Sequence, residues 1–595
     1  MVEDNKELIP QISYKIEKAK KEEAYTLLFE SEKKKKYILS RYTPLQEAKD
    51  SLPSDLGNKE TIWIFYGFAF GYVIEEVLKL CGEQTKIIVI EPEQQLLDDQ
   101  IKAVNKEAWY KRENITFYTG YEQESLTRLF GEVIPSSEIN NFKIISKVGY
   151  LEYYAAYYKA VNIILDEVTT NVLVQSNTME RFGSLFLTNV LKNRYAIQEG
   201  YDFLHHKDKY KNIPALVVSG GPSLSKNIKW IKDFKGLIFT GGRTLTPVLE
   251  QGVKPDFLVS VDPQNITYET LRENAENDIP LITLDQGNDK VVEANKGPQY
   301  FLAGESFIKE FLGNKEAQSI PMGGSVATVC ASAAQYMGCN PIIFIGQDLA
   351  YTNMKKHADE CSDKLVNGGT NEVAQDADYS KMGYKQVESV EGGKVWTTKV
   401  LITYLRWFET FIKVYTQNQF INATEGGAKM HGAEHIPFQE VVERFRHLEK
   451  PEIQHIQSEN KIDVDQNIQE AVCELKELLK LIKRANKVAL TLVDEYKIYK
   501  GLRVDKIFNN VQKLDKLDNE IKEYSGRKNI ISYLFGTAYT ELERDKQYKC
   551  GLNEKQLGHD RKIAEYSQMF YQKLEEIMQE VISIINKEME VSESR

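Results

Sequence analysis

The chain has 595 residues, of which 42% are hydrophobic and 27% charged, enough apolar material for real cores and too much for a disordered chain. At roughly 100–200 residues per domain, about three domains are expected. Seventy-six Lys and Arg against 87 Asp and Glu give a net charge of −11, so nucleic acid is not an expected partner.

The N-terminus, MVEDNKELIP, has no apolar stretch after a basic start, so no secretory signal is expected. Cysteines at 81, 330, 339, 361, 473 and 550 form no CxxC pair. Neither a disulfide framework nor a zinc knuckle is expected, and a reducing cytoplasm fits.

Charged residues between Glu7 and Glu32 predict helix. The run Thr61–Tyr66 (TIWIFY) reads as a strand, followed by a turn with Gly67 and Gly71. Val73, Val77, Leu78 and Leu80 keep helical spacing, and Lys86–Ile90 is a second strand ending at Glu91-Pro92. Strand, glycine turn, helix, strand and acidic end open a nucleotide-type βαβ unit, although the glycines do not form GxGxxG. Residues 1–165 are therefore expected to form a Rossmann-like α/β domain. Residues 151–200 read as helical and join it to the next.

From Pro214 five apolar runs follow: Ala215–Ser219, Leu237–Gly241, Phe257–Val261, Leu281–Leu284 and Ile342–Ile345. Helical stretches separate most of them, which predicts a doubly wound, mostly parallel α/β domain over 166–440. The uncharged run Gln318–Gln347 is broken by Gly323, Gly324, Gly338 and Pro341, so it reads as buried core and not as a membrane span. Residues 441–595 keep only helical periodicity, as in Val504, Ile507, Phe508, Val511 and Leu514, with Gly501 and Gly551 as punctuation. An all-α bundle is expected there.

Ligands of parallel sheets bind at the strands' carboxyl ends. There stand Gly220, Gly221, Pro222 and Ser223, where free N–H groups at a helix start suit a phosphate. Thr240, Gly242 and Arg243 follow the second run, and Asp262 follows the third. Gly323, Gly324 and Ser325 precede the uncharged helix, and Asp348 and Tyr351 follow its strand. Together they predict a nucleotide or nucleotide-sugar pocket. His431 and His435 flank Glu434 in an order unlike HExxH, so no zinc site is read there.

VSGGPSL, GVKPDFLVSVDPQ (Gly252–Gln264) and GGSVATVCASAAQYMGCNPIIFIGQDLAY (Gly323–Tyr351) resemble the Maf family of bacterial flagellin glycosyltransferases, the motility accessory factors. SRYTPLQEA, FGYVIEEVLKL with IIVIEP, and INATEGGAKMHGA extend the likeness from Ser40 to Ala433. The resemblance implies a sialyltransferase-like central domain. It also implies transfer of a nonulosonic acid, pseudaminic or legionaminic, from its CMP-activated form to Ser or Thr of flagellin, for flagellum assembly and motility. No cofactor is required by that reaction, and a divalent metal is left open. Two departures stand out. Gly220 occupies the place of an asparagine in the related sialyltransferases, and no histidine stands around Trp396–Thr398, where theirs is catalytic.

Cleaving a CMP-sugar makes the leaving phosphate more negative and requires a base for the acceptor hydroxyl. Ser223, the backbone at Gly221, Arg243 and Tyr351 suit the phosphate. Asp262, Asp348 and His357 are the candidate bases, imidazole having an ordinary pKa of about 6.5. Glu425 is a candidate donor or acceptor ligand. The same motifs also resemble archaeal hydroxymethyldihydropterin pyrophosphokinases, in which Asp262 and Asp348 would hold metal. A non-catalytic flagellin-binding protein is the third reading.

Overall fold

The computed structural model describes residues 8–31, 34–58, 61–134, 141–304, 320–361, 371, 383–457, 463–498, 504–525, 534, 536–538, 542 and 555–593. Gly501, Gly551 and Cys550 lie outside the described residues. Contacts divide the chain into two compact units. One comprises Met1–Phe182, Glu477–Gly526 and Ser532–Gln579; the other comprises Gly183–Lys476, Arg527–Ile531 and Glu580–Arg595.

The first unit opens with an antiparallel sheet, not the expected helix. Its strands β1 (Ser13–Lys18), β2 (Tyr25–Ser31) and β3 (Lys34–Tyr37) pair in that order. Tyr14 and Ile16 alternate with Lys15 and Glu17, and Leu27 and Phe29 are fully buried. Burial of residues 26–29 in the central strand β2 thus overrides the helix propensity of the charged residues.

After the helix Pro44–Asp50 come β4 (Ile62–Tyr66), β5 (Ile87–Glu91), β6 (Ile115–Thr119) and β7 (Phe142–Ser146). They form one parallel sheet in the order β6-β5-β4-β7, with helices Tyr72–Cys81, Gln94–Ala103 and Gln123–Val133 between them. This is the strand order of half a dinucleotide-binding fold.

The crevice of that half is filled. Gly67, at φ +88°, lies under the ring of Tyr150, which a Cβ there would approach to 2.6 Å. Glu91, fully buried, accepts hydrogen bonds from the Phe68 amide and the Tyr150 hydroxyl, both 2.9 Å. Burial pushes its carboxyl up to about 8. The acidic strand end therefore holds the glycine turn rather than facing outward. Of the helices Val464–Ile498, Val504–Ser525 and Gln556–Glu593, residues 477–498, 504–525 and 556–579 belong to this unit. Asn510 to Glu495 (2.9 Å) and Asn486 to Glu575 (3.1 Å) tie them within this unit.

The second unit is built on eight strands where five apolar runs were expected. They are β8 (Ala215–Val218), β9 (Leu237–Gly241), β10 (Phe257–Ser260), β11 (Leu281–Leu284), β12 (Gln299–Leu302), β13 (Ile342–Ile345), β16 (Phe420–Asn422) and β17 (Glu434–His435). The order is β12-β11-β10-β9-β8-β13-β16-β17, and every pairing is parallel. A separate hairpin joins β14 (Lys385–Glu388) and β15 (Lys394–Thr397).

Both faces of the large sheet are covered. Val217, Phe239, Val259 and Phe344 pack with the helices Val326–Tyr336 and Lys399–Val414. Leu216, Val218, Ile343 and Ile345 pack with Leu224, Ile228 and the helix Phe438–Phe445. Each such side chain contributes roughly 1.5–3 kcal/mol when fully buried. Among the described residues no helix is long and apolar enough to cross a membrane.

Candidate functional site

Because all eight strands run the same way, their carboxyl ends form one edge, and the predicted loops gather there. The loop after β8 is bound to the loop after β13. The Ser223 amide donates to Asp348 Oδ2 at 3.2 Å and the Ser223 hydroxyl to the same oxygen at 2.7 Å, while Thr352 Oγ1 donates to Oδ1. Gly221 N–H donates to Gly346 O at 2.8 Å. The expected phosphate amides at Gly221 and Ser223 are thus engaged internally. Asp348 is almost fully buried, and a buried carboxylate requires donors, which this loop supplies. Desolvation raises its pKa despite these hydrogen bonds. A Cβ at Gly221 would overlap Asp348 and lie 2.5 Å from Gly346 O, so only glycine fits.

Gly220 is differently placed. A Cβ there would lie 3.5 Å from Arg243 Cδ and from Cys361 Sγ, and its carbonyl accepts the Ala358 amide at 3.1 Å. This brings Arg243, in the first turn of the helix Gly242–Glu250, and the segment carrying His357 to one loop. The His357 amide donates to Asn371 Oδ1 at 3.0 Å.

Thr240 is buried beneath the helix, 2.6 Å from Thr244 Oγ1, which donates in turn to Val218 O at 3.2 Å. Gly242 gives close packing, since a Cβ would lie 3.2 Å from Leu271. Asp262 is half-buried, and its Oδ1 accepts the Gln264 amide at 2.9 Å. Gly323 packs under the Trp407 ring, Gly324 has φ +81°, and Ser325 stands at the N-cap position of the helix Val326–Tyr336, its buried hydroxyl without a partner among the described residues. Val326 abuts Gly241, which brings this helix start to the end of β9.

Tyr351 donates its amide to Trp396 O at 2.9 Å, and its ring lies 5.5 Å from that of Tyr384. Burial, with Tyr384 alongside, raises its phenol pKa. The stretch Trp396–Thr398, where the resemblance places a histidine, therefore runs against Tyr351. Glu425 caps the helix Phe438–Phe445, its carboxylate accepting the Phe438 amide at 3.2 Å. Leu349, Asn353, Met354 and Glu425 all take left-handed φ between +52° and +59°. Such strain persists where surrounding structure over-determines it, commonly at functional sites.

Sequence reasoning missed the asparagines that hold these loops. Asn189 and Asn193, both buried, lie one turn apart on the helix Ala155–Gln198. Asn189 donates to Pro263 O at 3.0 Å and Gln286 O at 3.1 Å; Asn193 donates to Asp285 O at 3.2 Å and Gly287 O at 2.9 Å. Asp285, also buried, accepts the Gly304 amide at 3.0 Å. Among the described residues no three His, Cys, Asp or Glu side chains gather as a metal site.

A family model described as 6-hydroxymethylpterin diphosphokinase MptE-like matches residues 188–354. An uncharacterized protein of Treponema pallidum (strain Nichols) is 29% identical over 134 residues, which are 21% of this chain and 60% of that protein. The chain thus spans about three fifths of the length of that curated relative. Among solved structures, the MAf glycosyltransferase from Magnetospirillum magneticum AMB-1 is similar with a TM-score of 0.60 and 12% identity, over 98% of this chain and 93% of that one. At that identity the likeness is one of fold, and the fold of this chain is that of the MAf glycosyltransferase.

Proposed function

We propose that the chain is a glycosyltransferase that moves a nonulosonic acid from its CMP-activated form to Ser or Thr of flagellin, in the cytoplasm. The observation that carries this reading is the junction of Gly220, Arg243 and the His357 segment on the carboxyl edge of the sheet. The motif resemblance and the likeness of fold to a glycosyltransferase support it.

In this reading the Arg243 guanidinium neutralises the leaving phosphate beside Gly220. Tyr351, kept protonated by its raised pKa, donates a hydrogen bond to the same group. Asp262 takes the acceptor proton, and His357 lies on the segment joined to Gly220. Asp348, bound beneath Ser223 and Thr352, shapes the loop and is a positioning residue rather than the base.

Coexpression with flagellin and a nonulosonic-acid pathway, read by intact mass, tests the reading. Flagellin gains mass in sugar increments with the wild type and not with Asp262→Ala. Unmodified flagellin with the wild type refutes it. The match of residues 188–354 to the MptE-like model favours a second reading, diphosphate transfer from ATP with magnesium to a pterin. Under that reading ATP with magnesium, and not CMP, raises the melting temperature.

A further inference from the structure

Within the second unit a cavity of about 830 Å³ lies beside the edge strand β12. Its size is within the roughly 300–1,000 Å³ of ligand sites. The helix Ala155–Gln198 supplies one wall with Lys192 and Tyr195, and the helix Asp289–Ala294 supplies another with Glu293. Tyr201 and Glu588 complete it.

The cations of this wall are already matched. Lys192 pairs with Asp289 at 3.0 Å, and Arg194 with Asp465 at 3.0 Å, its guanidinium over the Tyr195 ring at 4.3 Å. Glu199, Glu293 and Glu588 make no ion pair among the described residues and leave the cavity negative. Tyr201 adds an aromatic ring, a group that attracts cations, to the lining.

One end of the cavity adjoins the carboxyl edge. Asn193 lines it and holds the carbonyls of Asp285 and Gly287. Asn189, one turn or about 5.4 Å earlier on the same helix, holds Pro263 O, next to Asp262. A chain lying in the cavity therefore runs toward the loop of a candidate base.

We propose that this cavity is the acceptor groove and takes an extended polypeptide segment carrying Lys or Arg near the hydroxyl to be modified. The inference rests on the transferase reading and gives its acceptor a chemical character: charge complementarity selects basic over acidic sequence.

Fluorescence anisotropy on the full chain tests it, with short labelled serine-glycine peptides that differ only in carrying lysine or glutamate. The lysine peptide binds about tenfold more tightly, the size expected of a few partly exposed charge pairs. The triple variant Glu199→Gln, Glu293→Gln, Glu588→Gln loses that preference, and Glu293→Lys alone shifts it toward the glutamate peptide. Equal binding of the two peptides by the wild type, or an unchanged preference in folded variants, overturns the proposal. CMP is absent from the assay, so the donor reading is judged separately. A CMP-induced melting shift that survives in the triple variant places the effect in the groove; its loss there overturns the separation of the two sites.

Discussion

Glu91→Gln tests whether the filled crevice of the first unit is held by a protonated acid. The folded carboxyl sits at about 8 against an ordinary 4.5. Below pH 4.5 both folded and unfolded states hold the proton, and this group's contribution is fully present. As pH rises, the unfolded chain releases the proton while the folded one keeps it, so stability is lost until about pH 8. The slope is about 1.4 kcal/mol per pH unit, or about 4–5 kcal/mol over the whole window. Glutamine does not titrate. Its amide nitrogen would replace Oε1, which has no partner among the described residues, at a cost of about 1–3 kcal/mol. The variant is thus less stable at pH 5 and gains on the wild type steadily toward pH 8. Paired urea melts across that range, followed by tryptophan fluorescence with Trp63 and Trp109 in this unit, measure the difference. A difference that stays flat with pH refutes the reasoning.

Asp348→Ala leaves the Ser223 amide and hydroxyl and Thr352 Oγ1 without their acceptor in a buried loop, so it destabilises the chain by about 2–4 kcal/mol in urea melts. Asp262→Ala, at a half-buried position, changes the melt by less than about 0.5 kcal/mol while flagellin modification is lost. Asn189→Ala frees the carbonyls of Pro263 and Gln286. It is expected to lower kcat for transfer with little change in the CMP-induced melting shift, and equal losses in both would count against a positioning role.

The parts of the fold that were legible are those where one physical signal dominates. The continuous apolar runs of β8 to β11 and β13 are buried on both faces and stand out as strands. β12 and β16 carry Gln299 and Asn422, and β17 is only Glu434-His435, too short and polar to register. In β1 the alternation of Tyr14 and Ile16 was present, but Lys15 and Glu17 drew the reading toward helix. The site loops were legible because glycine and proline punctuate them. What those loops do with their donors was not. Ser223 and Asp348 are 125 residues apart, and Asn189 and Asn193 reach carbonyls 74 to 97 residues away. No local pattern marks such pairs. Gly220 read as a missing polar contact, and the fold sets it in van der Waals reach of the Arg243 side chain, a neighbour 23 positions on that no local pattern marks.

Calorimetric titration of CMP into the full chain, alongside Arg243→Ala and Arg243→Lys, tests the central claim most directly. The account predicts that the wild type binds CMP, that Arg243→Ala weakens it at least tenfold, and that Arg243→Lys recovers part of it. Absence of CMP binding by the wild type, or full binding by Arg243→Ala, would contradict a donor phosphate held at Gly220 and Arg243.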